Sequence, residues 1–225
     1  MKRLSIALDG PSGAGKSTLA RMVAEHFRLI YVDTGALYRC VALYVLRKNA
    51  DIGDLPDMAG LLPEIDIELT YDAAGAQRMI LNGEDVTDDI RSPEVTRAAS
   101  VVSALPPVRE FLLSMQRGMA EKYDVIMDGR DIGTVVLPNA GLKVFLTATP
   151  ESRAKRRYLE LVEKDIETTL DEVLSDMIER DKKDIERELA PLVAAEDSVL
   201  LDTTKLGLSE SFSALCEIIA SRFGI

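Results

Sequence analysis

Short, continuous apolar runs, most of them ending in Asp, recur along the chain. They are Ser5-Ile6-Ala7-Leu8-Asp9, Ile30-Tyr31-Val32-Asp33, Val125-Ile126-Met127-Asp128, Lys143-Val144-Phe145-Leu146 and Ser198-Val199-Leu200-Leu201-Asp202. Continuous rather than alternating apolar character predicts strands buried on both faces, as in a parallel sheet. Between them the apolar positions recur at helical spacing over 16–28, 35–48, 106–122, 150–162, 168–188 and 209–223. Thr149 as cap with Pro150 at the first position opens one of these helices. Ser209 as cap and Gly224 as stop bound the last. Strand alternating with helix predicts a doubly wound α/β fold around a parallel five-stranded sheet. Residues 60–95 break the alternation. Ile65, Ile67, Leu69 and Tyr71 repeat with period two, and Met79-Ile80-Leu81 runs into Asn82-Gly83, a hairpin turn signal. The expected organisation is therefore a core of residues 1–59 and 96–225 with a small β-rich insert at 60–95.

At 225 residues the chain has the size of one domain, or one domain with an insert, and can bury about 70–75% of its unfolded surface. A content of 47% hydrophobic and 29% charged residues excludes disorder, and 5% aromatic residues without Trp exclude a stacking platform for single strands. No apolar run approaches the ~18 residues of a membrane span. The stretch Leu4 to Leu8 after Met1-Lys2-Arg3 stops at Asp9, too short for a signal-peptide core, so a cytoplasmic protein is expected. Cys40 and Cys216 form no CxxC pair and read as small buried hydrophobes rather than a zinc or disulfide framework.

Charge informs most when it is mapped. The chain has 27 bases and 38 acids, net −11, and residues 50–90 hold eleven of those acids against one base, Arg78. The rest is near neutral and favours Arg over Lys, the side chain whose planar fork suits bidentate anion recognition. A small anionic ligand fits this balance better than nucleic acid.

The sharpest motif is Gly10-Pro11-Ser12-Gly13-Ala14-Gly15-Lys16-Ser17-Thr18, which satisfies G-x-x-x-x-G-K-[ST]. Its glycines let backbone N–H groups curl around phosphates, Lys16 reaches the β and γ phosphates, and the Ser17 hydroxyl can ligate Mg²⁺. A buried strand before it and a helix after it supply the matching context. The motif alone says that a nucleoside triphosphate is bound. A guanine-reading Asn/Thr-Lys-x-Asp is absent, which argues against a GTPase. Small-molecule kinases need a second anion site and arginines that cover the γ-phosphoryl group, and candidates for both are present. On the 168–188 helix, at about 100° per residue, Leu170, Val173, Leu174 and Met177 form an apolar stripe, and Arg180, Asp184 and Arg187 continue it as ligand-facing candidates. Arg153, Arg156 and Arg157 share a helical face. They read either as lid arginines over the donor or as a basic face paired with Glu160 and Glu163. His26 continues the Leu19, Met22, Val23 face and reads as a core-edge residue.

In five blocks the chain resembles the bacterial cytidylate kinases, members of the nucleoside monophosphate kinase group. These are residues 9–18, Asp33-Thr34-Gly35-Ala36-Leu37-Tyr38-Arg39, Arg97-Ala98-Ala99-Ser100 with Val108-Arg109, Asp128-Gly129-Arg130-Asp131-Ile132-Gly133-Thr134-Val135-Val136, and Glu179-Arg180-Asp181 to Ala190-Pro191-Leu192. The resemblance implies phosphoryl transfer from ATP, with Mg²⁺, to CMP or dCMP by a monomer that binds neither nucleic acid nor membrane. It makes 60–95 a monophosphate-binding insert and about 150–167 a short helical lid. It implies Ser100, Arg109 and Asp131 as cytosine readers, Arg180 and Asp184 as ribose contacts, and Arg39 and Arg130 as clamps on the acceptor phosphate with Arg187 nearby. Thr34, where a Ser is common in the family, and Tyr38 lie along the acceptor site in the same reading. Arg153 and Arg157 belong to the lid, and with Lys16 and Arg130 act on the transferring group. Asp33 and Asp128 end strands and either hold Mg²⁺ waters or serve as a cap or salt bridge. The alternatives are another P-loop small-molecule kinase, such as dephospho-coenzyme A kinase, and a non-kinase ATP-binding regulatory module.

Overall fold

The structure, a computed structural model, describes residues 3–52, 55–73 and 77–225. Asp54 of the acidic count and positions 74–76 of the expected insert lie outside the described residues. In chain order the strands are β1 (Ser5–Asp9), β2 (Ile30–Asp33), β3 (Ile67–Tyr71), β4 (Gln77–Leu81), β5 (Glu84–Asp85), β6 (Val125–Gly129), β7 (Leu142–Thr147) and β8 (Val199–Asp202). The helices are α1 (Lys16–Phe27), α2 (Thr34–Lys48), α3 (Leu55–Leu61), α4 (Pro93–Val102), α5 (Pro106–Lys122), α6 (Pro150–Val162), α7 (Leu170–Glu186) and α8 (Leu208–Phe223). Among the described residues no helix is long and apolar enough to cross a membrane.

The chain forms two compact units, residues 1–32 with 120–225 and residues 33–119. The first carries a five-stranded sheet in the order β2-β6-β1-β7-β8. β1 pairs in parallel with β6 and β7, with Ile6 opposite Ile126 and Leu142, and every residue of β6 is buried. This is the environment that continuous apolar runs require, since helices cover both faces of a doubly wound sheet. The core gathers Ile6, Leu8, Ile126, Val144 and Leu146 with Leu19 and Val23 of α1 and Leu215 and Ile219 of α8. Strand β8 departs from the expectation of strands buried on both faces. It is an edge strand paired with β7, and Val199 and Leu200 are 40% and 65% exposed.

Two terminal signals on α8 resolve differently. Gly224 adopts a left-handed conformation and stops the helix, as expected, but the N-cap is Gly207, so Ser209 lies inside the first turn. Glu210 accounts for the shift, because its carboxylate accepts the Gly207 N–H at 2.7 Å. Thr149 and Pro150 open α6 as the sequence indicates, the Thr149 hydroxyl accepting the Ser152 N–H. Cys40 is buried as expected and Cys216 half-buried, and neither forms a disulfide. His26 is exposed, its ring lying edge-on to Phe27 and to Phe212 of α8, which pack against the edge of the core.

The second unit holds the antiparallel sheet β3-β4-β5. Asn82 and Gly83, both at positive φ, connect β4 to β5 in a two-residue hairpin in which Leu81 faces Glu84. This is the twist-compatible turn that an Asn-Gly pair favours. The β3–β4 pairing places Ile67 opposite Leu81 and Leu69 opposite Met79. Their apolar side chains join one cluster with Leu37, Val41 and Val45 of α2, Val95, Ala98 and Val102 of α4, and Val108 and Leu112 of α5. The compact unit is thus wider than residues 60–95, because the hairpin's apolar face is too small to close a core and recruits the helices that flank it in sequence.

Candidate functional site

The loop between β1 and α1 is shaped by positions that only glycine fits. A Cβ at Gly10, where φ is +151°, would run into the Leu146 carbonyl, and one at Gly13, where φ is +70°, would strike the Met177 side chain of α7. Gly15 caps α1 in a left-handed conformation, so the first helical amides and the positive end of the helix dipole open onto the loop. Lys16 is 6% exposed and its Nζ donates to the Pro11 carbonyl at 2.7 Å. Burial, aided by repulsion from Arg130, pushes its ammonium down to about 7, against the opposing pull of Asp128, Asp9 and Asp184. Ser17 Oγ donates to Asp128 Oδ2 at 2.7 Å, and the Tyr31 hydroxyl donates to Asp128 Oδ1 at 3.0 Å. The loop residues Gly10, Ser12, Gly13, Ala14, Gly15, Lys16, Ser17 and Thr18 and the end of β6 therefore form one cluster.

Beyond β6 the chain turns sharply through Arg130 and Asp131 into a single π-helical turn, Ile132–Val136. Asp9, at the end of β1, holds that turn. Its two carboxylate oxygens accept the Ile132 and Gly133 N–H groups at 2.8 and 2.7 Å. Burial raises the Asp9 carboxyl to about 6, although those two N–H groups pull the other way. Arg130 Nε donates to Asp184 Oδ2 of α7 at 2.7 Å, and Arg187 Nη2 donates to Asp131 Oδ1 at 3.3 Å. The turn's two functional candidates are thus each paired with a residue of the 184–187 stretch. Arg180 is half-buried on the same helix. The apolar stripe of α7 is shorter than its periodicity indicates: Val173 and Met177 are buried, whereas Leu170 is 42% exposed.

Arg153 is 3% exposed, and its guanidinium donates to the Ala148 carbonyl at 2.9 Å and to the Ser12 carbonyl at 2.7 Å. It also pairs with Asp181 at 2.6 Å. Arg156 bonds the Thr203 and Leu206 carbonyls, and Arg157 pairs on the surface with Glu160 at 3.0 Å. The three arginines of α6 thus have different environments despite one helical face. No motif marks Asp181 as a site residue. Its signal was available, since it stands four residues after Met177 and continues the buried stripe.

In the other unit Asp33 caps α2 by accepting the Ala36 N–H at 2.9 Å, and it pairs with Arg91 at 3.0 Å and Arg39 at 4.0 Å. Burial alone would raise its carboxyl, but the two guanidinium groups prevail and hold it below the usual carboxylate range. No motif marks Arg91 either. Thr34 is buried at the start of α2. The Arg109 guanidinium lies over the Tyr38 ring at 5.9 Å and donates to the Ser103 carbonyl at 3.0 Å. Ser100 is half-buried on α4.

Comparison with known proteins agrees along the whole chain. A family model described as cytidylate kinase matches residues 6–221. The cytidylate kinase of Caldicellulosiruptor saccharolyticus is 46% identical over 100% of this chain and 99% of its own length. That of Bacillus subtilis is 45% identical over 98% of each chain, and that of Desulfitobacterium hafniense 49% identical over 93% of this chain and 89% of its own. Among solved structures, an uncharacterized protein from Eubacterium ventriosum superposes with a TM-score of 0.56 at 14% identity, covering 98% of this chain and 99% of that one, a likeness of fold alone. With a phosphate loop, a buried loop lysine and full-length relatives of one name, the chain belongs to the cytidylate kinase family.

Proposed function

We propose the following division of labour in an ATP-dependent transfer of a phosphoryl group to CMP or dCMP. The loop amides and the N-terminus of α1 hold the donor triphosphate, and Lys16 stabilises charge on the transferring group. The observation that carries this reading is the convergence of a buried Lys16, Ser17 and Asp128 on one loop in a chain whose relatives are cytidylate kinases. Such chemistry is mostly positioning plus electrostatics, so preset pairs matter more than a strong base.

Arg130, preset by Asp184, binds the acceptor phosphate and then the transferring group, and Asp131, preset by Arg187, reads the cytosine amino group. Arg180 and Asp184 contact the ribose. In the 33–119 unit Arg39 binds phosphate, Ser100 and Arg109 are further base readers, and Thr34 and Tyr38 line the acceptor. Of the α6 arginines, Arg157 has the exposure that contact with a donor requires, whereas Arg153 is committed to the loop backbone in this structure.

Ser17 and Asp128 fit Mg²⁺. They offer a hydroxyl and a carboxylate 2.7 Å apart, and Mg²⁺ takes one or two protein oxygens and completes its shell with phosphates and water. Among the described residues no cluster of three or more His, Cys, Asp or Glu side chains offers a self-sufficient cage. When bound there, Mg²⁺ neutralises charge on the donor phosphates. Asp33, engaged by Arg39, Arg91 and the Ala36 N–H, has the structural role instead. We take the protein to act as a monomer on small nucleotides in the cytoplasm, without nucleic acid or membrane.

The test is ADP release from ATP across CMP, dCMP, UMP, dTMP and dephospho-coenzyme A. The reading requires CMP and dCMP to lead. Preference for dephospho-coenzyme A, or acceptor-independent ADP release, would overturn it.

A further inference from the structure

We propose that the buried ion pair between Arg153 and Asp181 is a clasp on the phosphate loop that sets how tightly ATP is held. The inference rests on the reading of residues 10–18 as the ATP triphosphate cradle. The pair grips one loop residue at both of its backbone polar groups. Asp181 Oδ1 accepts the Ser12 N–H at 3.0 Å, and Arg153 Nη1 donates to the Ser12 carbonyl at 2.7 Å. The two side chains meet each other at 2.6 Å, and Arg153 is anchored from behind by the Ala148 carbonyl at 2.9 Å. One turn earlier on α7, the Met177 methyl closes over Gly13, whose φ of +70° disfavours any residue with a Cβ. Two helices more than a hundred residues downstream thus fix two consecutive residues of the loop.

Stability alone does not account for this arrangement. A buried ion pair gains little over apolar side chains of the same volume, because desolvation offsets its attraction. A loop that must present its amides to phosphate gains from being held before ligand arrives, because ordering it upon binding would cost affinity. The charges also have a sign. A lone carboxylate beside the triphosphate would repel it, and Arg153 cancels that charge while pairing with Asp181 Oδ2, which leaves Oδ1 for the Ser12 N–H. Arg153 and Asp181 are therefore positioning residues, and their effects on ATP are coupled.

The coupling defines the experiment, which uses the full-length enzyme and measures ATP and CMP dissociation constants with melting temperature as a separate readout. Arg153→Met leaves the Asp181 charge uncancelled and should weaken ATP about 30- to 100-fold. Arg153→Met with Asp181→Asn should recover to within roughly tenfold of wild type, an interaction of the kind double-mutant cycles detect. Asp181→Asn, whose amide oxygen still accepts the Ser12 N–H, should weaken ATP less than Asp181→Ala does. CMP affinity should stay within about twofold throughout, since the clasp holds the donor loop. Additive losses in the double variant would overturn the proposal by making Arg153 a direct ATP contact. A lowered melting temperature with unchanged ATP affinity would overturn it by making the pair merely structural. If Arg153→Met does not fold, the order of Asp181→Asn and Asp181→Ala decides, and equal ATP affinities refute the clasp. Lys16→Met separates this failure from failure of the underlying reading. Wild-type turnover in Lys16→Met removes the loop from the mechanism, whereas lost turnover there beside unaffected Asp181 variants removes only the clasp.

Discussion

Lys16 makes ATP binding proton-linked. Its ammonium is pushed from the ordinary 10.5 to about 7 by burial and by Arg130. That displacement corresponds to roughly 5 kcal/mol of disfavoured charge at about 1.36 kcal/mol per pH unit. A bound triphosphate reverses the balance, so the lysine regains its proton and its pKa in the complex lies above that in the free protein. A cation whose pKa rises on binding contributes affinity that is fully present below the free value of about 7 and is lost as pH rises through and beyond it. Phosphate monoesters have their second pKa near 6, so most of their ionisation is over by pH 7 and Lys16 dominates the change above it. About half of the free protein carries the charged lysine at pH 7 and about 1% at pH 9, so the apparent dissociation constant for ATP should rise roughly 50-fold between them. Calorimetry in buffers of different ionisation enthalpy should show uptake of about half a proton per ATP at pH 7 and nearly one at pH 8.5. Lys16→Met should bind ATP weakly and with no such slope. A flat wild-type profile from pH 7 to 9, or an equal slope in Lys16→Met, would refute the reasoning.

Asp131→Asn keeps the shape but lets an amide NH₂ face the uracil carbonyl. The CMP over UMP ratio of kcat/KM, expected at about ten- to a hundredfold for one good base contact, should fall towards unity, and an unchanged ratio with reduced CMP activity would assign the base to other residues. Asp9, raised by burial to about 6 from its ordinary 3.8, stabilises the fold in its protonated form. That contribution is full below pH 3.8 and gone above pH 6, a loss of roughly 3 kcal/mol. Between pH 4 and 7 urea unfolding should show the wild type losing roughly 2 kcal/mol relative to Asp9→Asn, a comparison that cancels the opposite pH dependence of Asp33, and equal pH dependence in both would exclude Asp9 as its source. Asp128→Asn removes the charge beside Ser17 and should raise the Mg²⁺ concentration needed for half-maximal rate by about tenfold, roughly the 1.4 kcal/mol of one charge-assisted contact. An unchanged requirement would place the ion elsewhere.

The strands of the parallel sheet were legible as short continuous apolar runs, β8 included although it lies at a half-exposed edge, the long helices because each carries its own period, and the loop because its glycines and lysine leave few alternatives. What escaped the sequence had local reasons. The period over 93–102 is short, so α4 is faint in the sequence although Ser92, Pro93 and Glu94 spell an N-terminus, the Ser92 hydroxyl accepting the Val95 N–H. Helix α3, with Pro56 and Gly60 inside seven residues, carries no such signal. The π turn at Ile132–Val136 depends on Asp9, 123 residues away from Ile132, and no local pattern announces it. For the candidate site, residue type and helical face placed Asp184 and Arg187 on one side of the expected helix, which in fact ends at Glu186 with Arg187 extended, but could not reveal their partners Arg130 and Asp131. The face shared by Arg153, Arg156 and Arg157 concealed that Arg153 alone is buried against the loop, because burial there is decided by Asp181 and Ser12 from distant segments.

The central claim is that this chain moves the terminal phosphoryl group of ATP onto a cytidine monophosphate. The most direct test labels that γ-phosphoryl group and follows it after mixing enzyme, Mg²⁺, ATP and CMP. The account predicts the label in the β-phosphate of CDP, no appreciable inorganic phosphate, and loss of transfer in Lys16→Met that remains folded. Label found only in inorganic phosphate, or at the same rate with and without CMP, would contradict it.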